Sequence, residues 1–176
     1  MKFCGWINCS RESHNGWSFP KKVRSVILRE VGGKSVLHLF GGMADFGLRL
    51  DLDPIVRPDV IGDAWLPPFA ANSFDVVILD PPYVQLNTQE KNALLRQATI
   101  VAREFVVWFH TMWIDWVPNA DLERFWFVAP SNMASCRVLS FFRVRRVKSG
   151  PVTRFVRGPG LRYNRWLAGA MPLPFD

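Results

Sequence analysis

Apolar and polar positions fall in blocks along this chain, and the blocks predict two kinds of element. Ser18-Phe19-Pro20 reads as a helix start, because proline is tolerated in a first turn, where its missing N–H would be unpaired anyway. Val23, Val26, Ile27 and Val31 follow at helical spacing, and Gly32-Gly33 ends that segment. Ser35–Phe40 is a short apolar run stopped by Gly41-Gly42 and predicts a buried strand. Leu48–Leu52 alternates and predicts a second strand, stopped by Pro54, and Asp59–Gly62 predicts a third, short one. Asp75–Leu79 is continuous and β-branched, as expected of a central parallel strand covered on both faces. Thr88–Arg103 predicts a helix, and Phe105–Phe109, Arg124–Val128 and Val138–Val144 predict three more strands. Residues 1–18 are polar and read as irregular, and residues 149–176, rich in proline and glycine, read as loop.

Strands and helices alternate through the first two-thirds, and the last strands come close together. That pattern predicts an α/β fold with a mostly parallel sheet and one antiparallel strand near the end. In such sheets a ligand sits beyond the carboxyl ends of the strands, at the switch in strand order.

The chain has 176 residues, 49% hydrophobic and 21% charged, which excludes a disordered or low-complexity chain and suits about one domain. No apolar run reaches the length of a membrane span, and the N-terminal apolar stretch is too short for a signal peptide. With three cysteines a disulfide scaffold is not expected, and a cytoplasmic location is. Cys4, Cys9 and His14 fit no common zinc spacing, so no metal site is expected. Gly158-Pro159-Gly160 lacks the Lys-Ser/Thr of a phosphate loop.

Charge changes the picture. Residues 1–136 carry 13 Lys/Arg against 14 Asp/Glu, whereas residues 137–176 carry nine against one, so the whole excess of +7 lies in the last 40 residues. Eight of those nine are arginine, interleaved with Phe155, Tyr163 and Trp166, a composition that suits a nucleic-acid surface. Arg154, Arg157, Arg162 and Arg165 are the candidate phosphate contacts. Trp113, in the loop after His110, is a candidate to stack on a base, as is Trp116.

Asp80-Pro81-Pro82-Tyr83 closes the run Asp75–Leu79. Two prolines hold the backbone extended and leave no N–H on either residue. The turn therefore offers acceptors, the Asp80 carboxylate and the Pro81 carbonyl, beside the flat ring of Tyr83. Two acceptors beside a ring suit an exocyclic amine on a planar base: they take its N–H donors and turn the nitrogen lone pair toward an electrophile.

Further motifs stand in order around that turn: Ser18-Phe19-Pro20-Lys21-Lys22, Val36–Gly42, Asp51 and Gly62-Asp63-Ala64. Over roughly residues 17–147 the chain resembles the class I S-adenosylmethionine-dependent methyltransferases. Within them it is similar to the branch that methylates amino groups of adenine or cytosine in nucleic acid. The resemblance implies a Rossmann-like fold with S-adenosylmethionine as cofactor. It implies catalytic roles for Asp80, Pro81, Pro82 and Tyr83, and cofactor contacts from Phe19, Pro20, Phe40, Gly41, Gly42, Asp51, Asp63 and Ala64. Asp51 would take the ribose hydroxyls; Asp53 competes for that role, and Asp51 is preferred because it stands directly at the strand end. The expected substrate is adenine in DNA before cytosine. RNA base methylation, protein-amide methylation and a cofactor-free binding module are the alternatives.

The chain departs from the family pattern in three ways. His38 stands where an acid is more usual; flanked by Leu37 and Leu39, it reads as a core histidine rather than a base. Only Phe40–Gly47 separate the first two predicted strands, whereas a parallel crossover takes a dozen or more residues, so the first crossover is shortened. There is no separate target-recognition domain: residues 1–147 read as the methyltransferase domain, and 148–176 as a basic extension on or near the substrate face.

Overall fold

The computed structural model describes residues 1–9, 18–81, 86, 88–111, 116–129 and 136–145. Pro82, Tyr83, Trp113, His14 and the four tail arginines lie outside the described residues, as does the whole segment 146–176. The elements are β1 (Lys2–Asn8), α1 (Lys21–Val31), β2 (Val36–Leu39), β3 (Leu48–Asp51), β4 (Val60–Ile61), β5 (Phe74–Leu79), α2 (Thr88–Val101), β6 (Ala102–His110), β7 (Trp116–Val117), β8 (Ala120–Ala129) and β9 (Arg137–Val144).

The strands form one sheet in the order β1-β8-β9-β6-β5-β2-β3-β4, with β7 hairpinned onto β8. Strands β2 to β6 pair in parallel, and β1 pairs β8 in parallel. β9 runs antiparallel between β6 and β8. The predicted α/β class, the mostly parallel sheet and the late antiparallel strand are all present.

Each face of the sheet has its own core. On one side Val23, Ile27 and Val31 of α1 cover Val36, Val76, Ile78, Phe105, Val107 and Phe141. On the other, Leu94, Leu95 and Ala98 of α2 cover Leu37, Leu39, Val77, Leu79, Val106 and Trp108. Neighbouring residues of β2, β5 and β6 thus go to opposite cores, which is why those segments are apolar without alternation. Phe40–Gly47 join β2 to β3 with no helix, and β3 to β4 and β4 to β5 are joined without an α-helix as well. No helix among the described residues is long and apolar enough to cross a membrane.

Three sequence expectations change. Residues 2–8 are not irregular: they form β1, an edge strand with a bulge between Phe3 and Gly5, where Gly5 has φ +129°. The bulge breaks the two-residue alternation and puts Phe3 and Trp6 on one face, against Phe125 and Phe127. The second helix ends at Val101, and β6 begins at Ala102 without a loop. Arg103 and Glu104 look like a helix tail but start the strand, each in an ion pair, with Asp75 at 2.6 Å and Lys34 at 2.7 Å. Finally, β8 starts at Ala120 rather than Arg124, because the Pro118-Asn119 turn folds Trp116–Val117 back onto it.

Candidate active site

Strand register places the predicted residues in one row. Leu50, Leu39, Leu79 and Trp108 are consecutive partners across β3, β2, β5 and β6. The next residues, Asp51, Phe40, Asp80 and Phe109, therefore leave the carboxyl ends of four adjacent parallel strands side by side. Asp51 and Asp80 are two strand spacings apart, about 10 Å between backbones. Gly62-Asp63-Ala64 joins the row from β4, through the Gly62 N–H donated to the Asp51 carbonyl at 3.0 Å.

The turn after β2 is tightly held. Phe40 and Gly42 both have left-handed backbone, φ +64° and +46°, which a glycine adopts freely and a phenylalanine only under constraint. Asp51 supplies part of that constraint: its Oδ2 accepts the Gly42 N–H at 3.0 Å and its Oδ1 accepts the Asp53 N–H at 3.0 Å. Each oxygen keeps a second lone pair for a hydroxyl donor. Asp53 is engaged as well, its Oδ1 accepting the Ile55 N–H at 2.9 Å to cap a short 3-10 turn. Asp63 Oδ1 accepts the Trp65 N–H at 2.9 Å. The Phe40 ring meets the buried Trp65 edge-on at 5.2 Å.

Gly41 has a packing reason as well. A Cβ there would lie 2.6 Å from the Arg49 Cβ and 3.0 Å from the Arg49 Cα. Gly41 admits the neighbouring strand, so its lack of a side chain is already accounted for before any ligand approaches.

Two further elements reach the same end of the sheet. Strand β1 rises to Asn8, and α1 begins there with Pro20, no side-chain cap and no acid in its first turn. Lys21 and Lys22 stand in that turn, with the Lys22 ammonium donating to the Asn8 carbonyl at 2.5 Å. Phe19, just ahead, is buried against His38 at 6.0 Å and Phe109 at 5.8 Å, so it belongs to the core as much as to a ligand surface. Asp80 is half-buried and Pro81 buried at the mouth of β5.

His38 is a core histidine, as expected: it is 2% exposed, and its ring meets Phe46 edge-on at 4.6 Å. Burial pulls its pKa down to about 4, against a hydrogen bond to the Phe46 backbone that raises it, so the ring is neutral near pH 7. Sequence reading missed a second buried pair. His110 Nε2 lies 3.0 Å from Ser140 Oγ, two residues beyond Trp108 at the carboxyl end of β6. No sequence signal joins residues 30 apart; only the antiparallel β6–β9 register does. Among the described residues no group of three or more His, Cys, Asp or Glu could hold a metal ion.

Part of the C-terminal charge is already matched. Arg143 pairs with Glu123, and Arg145 pairs with Asp121 across β8 and β9. Both carboxyl groups are held below their ordinary pKa, chiefly by the hydrogen bond from the arginine. Arg137 lies over the Phe109 ring at 5.1 Å. Because β9 runs antiparallel, it ends beside Asn119, whose carbonyl accepts the Arg145 N–H at 2.8 Å, at the end opposite Asp51 and Asp80.

No family model matches the chain, and no curated protein matches it in sequence. Its likeness is to solved structures. A candidate methyltransferase from Escherichia coli, yhhF, superposes with TM-score 0.53 at 16% identity, covering 72% of this chain and 86% of that one. The N-methyltransferase NodS of Bradyrhizobium japonicum gives 0.51 at 10% identity, covering 71% and 96%. A candidate RNA methyltransferase from Pyrococcus horikoshii gives 0.50 at 15% identity, covering 70% and 80%. The chain therefore has the Rossmann-like α/β fold of the class I S-adenosylmethionine-dependent methyltransferases.

Proposed function

We propose that the protein is an S-adenosylmethionine-dependent methyltransferase acting on an exocyclic amino group of a nucleic-acid base, adenine first. The observation that carries this reading is the row at the carboxyl ends of β3, β2 and β5: Asp51, the Phe40–Gly42 turn and Asp80-Pro81, in that spatial order. The residues suit the cofactor. The Asp51 carboxylate keeps acceptor capacity for paired hydroxyls, and Phe40 packs on Trp65, whose backbone N–H Asp63 accepts. When bound, the cofactor supplies a methyl group already activated by its sulfonium, so the protein's task is positioning.

Asp80 and the Pro81 carbonyl accept the N–H groups of the target amine. That leaves the nitrogen lone pair facing the methyl group and stabilises the positive charge that grows on nitrogen. The proton leaves after transfer, so Asp80 need not be a strong base. Tyr83 holds the base by its ring face, and a base in a duplex is first extruded, at a cost of a few kcal/mol. The basic segment 148–176 and Trp113 supply the nucleic-acid contacts in this reading, with residues 1–147 as the catalytic domain. A DNA substrate and an RNA substrate are the two arms of the test.

A cofactor-free binding module with this fold is the second reading. It is favoured by one observation: both Asp51 oxygens already accept a backbone N–H. Incubating the full chain with methyl-labelled cofactor and separate pools of DNA, RNA and protein tests both. Label in a nucleic-acid amino group supports the proposal. Label in protein alone overturns the substrate class, and calorimetry showing no binding of S-adenosylmethionine or its demethylated product leaves the module.

A further inference from the structure

We propose that Arg49 is the positioning residue of the glycine turn, doing through one guanidinium what a crossover helix does elsewhere in this fold, and so setting cofactor affinity. The inference rests on the methyltransferase reading and deepens it. The problem it answers is plain from the backbone: Phe40–Gly47 contain no helix, and two of their first three residues have left-handed φ. Such a turn persists only where its surroundings over-determine it.

Arg49 supplies the missing determinants. It lies on β3 directly opposite His38, on the face where α1 packs over β2. Its stem passes so close to Gly41 that no Cβ fits between them. Its Nη1 donates to the Gly42 carbonyl at 3.3 Å and to the Val56 carbonyl at 3.4 Å, and its Nη2 donates to the Arg57 carbonyl at 2.7 Å. The turn after β2 and the turn after β3 are thereby tied to one planar group. Asp59 backs it, its Oδ2 accepting both the Arg49 N–H at 2.8 Å and Nε at 3.3 Å. These bonds hold the Asp59 carboxyl below its ordinary pKa.

Gly42 is thus gripped at both polar atoms by neighbours on one strand. Asp51 takes its N–H and Arg49 takes its C=O. Arg49 and Asp51 stand two residues apart on β3 and so share one face of the strand, from which they fix the peptide units on either side of Gly42. Lysine cannot replace the fork: it is a point charge and reaches one carbonyl where the guanidinium reaches three.

The test uses the full chain with Arg49→Lys and Asp59→Asn, read by calorimetry with S-adenosylhomocysteine and by hydrogen exchange at the Gly42 amide. Arg49→Lys is expected to weaken binding by about tenfold or more, the scale of losing charge-assisted hydrogen bonds. The Gly42 amide should exchange at least about tenfold faster while Val77 and Ile78 stay protected. The loss should fall on the KM for the cofactor, with kcat at saturation near wild type. Asp59→Asn should show the same pattern more weakly, and it decides the matter if Arg49→Lys does not fold. Unchanged Gly42 exchange in a folded variant overturns the proposal. So does equal loss of protection throughout the sheet, which would make Arg49 a general stabiliser. If the wild type binds no cofactor, the methyltransferase reading falls, while Gly42 exchange still decides whether Arg49 holds the turn.

Discussion

Asp51 Oδ2 accepts the backbone N–H of Gly42 at 3.0 Å, from nine residues further along the chain. A side chain on the second strand of the site therefore shapes the turn that leaves the first. Asp51→Ala orphans two part-buried N–H groups, those of Gly42 and Asp53, and should cost about 1–3 kcal/mol of stability. Cofactor affinity should drop by roughly 10- to 150-fold, since charge-assisted bonds are worth ~1.5–3 kcal/mol. Asp51→Asn keeps one acceptor oxygen and should lose less of both. Denaturant melts and calorimetry check the pair, and a wild-type melt for Asp51→Ala would remove the turn-shaping role.

Gly41→Ala separates two reasons for a glycine. If Gly41 served only ligand approach, alanine would leave the melting point of the free protein unchanged. The 2.6 Å contact that its Cβ would make with the Arg49 stem predicts a loss of about 1–3 kcal/mol without any ligand present, the usual scale of overpacking.

These two residues show how far the chain can be read before folding. Strands β2, β5 and β6 were legible as largely apolar runs buried on both faces, as in Asp75–Leu79, and β3 because Leu48, Leu50 and Leu52 alternate with polar residues. The acids at their ends were legible because parallel strands all finish at one edge of the sheet, so strand-end residues gather there. Strand β1 was not: it buries one residue of its seven, Ile7, and its bulge destroys the alternation. Arg49 was not either, since its partners are carbonyls at 42, 56 and 57, and a carbonyl leaves no mark in a sequence. Gly41 was read from its turn alone; its contact with Arg49 of the next strand leaves no mark in the sequence.

Asp80→Ala should abolish methyl transfer while cofactor affinity stays within a few fold, because Asp80 leaves β5 two strands away from Asp51. Tyr83→Ala should reduce turnover strongly and Tyr83→Phe much less, since the proposed contact is the ring face. Near-normal turnover of Asp80→Ala on its nucleic-acid substrate would remove the role assigned to the turn after β5.

His38 should make the fold sensitive to acid. Burial lowers its pKa from 6.5 to about 4, so the unfolded chain binds this proton more readily than the folded one. Stability from this group is complete above pH 6.5 and is lost as pH falls toward 4. At about 1.4 kcal/mol per pKa unit the loss comes to ~3 kcal/mol. His38→Leu should flatten the stability profile between those pH values, even if the new side chain repacks imperfectly against Phe19 and Phe46. An unaltered slope in urea melts across that window would assign the acid sensitivity elsewhere.

The C-terminal arginines should divide into two groups by their response to salt. Arg143 and Arg145 already hold Glu123 and Asp121, so taking up a phosphate would mean breaking an existing pair. Arg154, Arg157, Arg162 and Arg165 follow β9 in sequence, beyond the described residues. They stand nine to twenty residues past Arg145, an extended reach of roughly 30–70 Å, on the scale of the strand length back to the carboxyl ends. Each neutralised phosphate adds about −0.9 to the log–log dependence of affinity on salt for duplex and about −0.7 for single strands. Replacing the four tail arginines with alanine should therefore flatten the slope by roughly 3 units, whereas Arg143→Ala with Arg145→Ala should leave it nearly unchanged. That pair should instead lower the melting point slightly, since exposed ion pairs are worth little. If the tail variant lost stability with its slope intact, the tail arginines would be pairing with carboxylates as Arg143 and Arg145 do. The charge-based reason for a nucleic-acid substrate would then be gone, and the case would rest on the Asp80 turn alone.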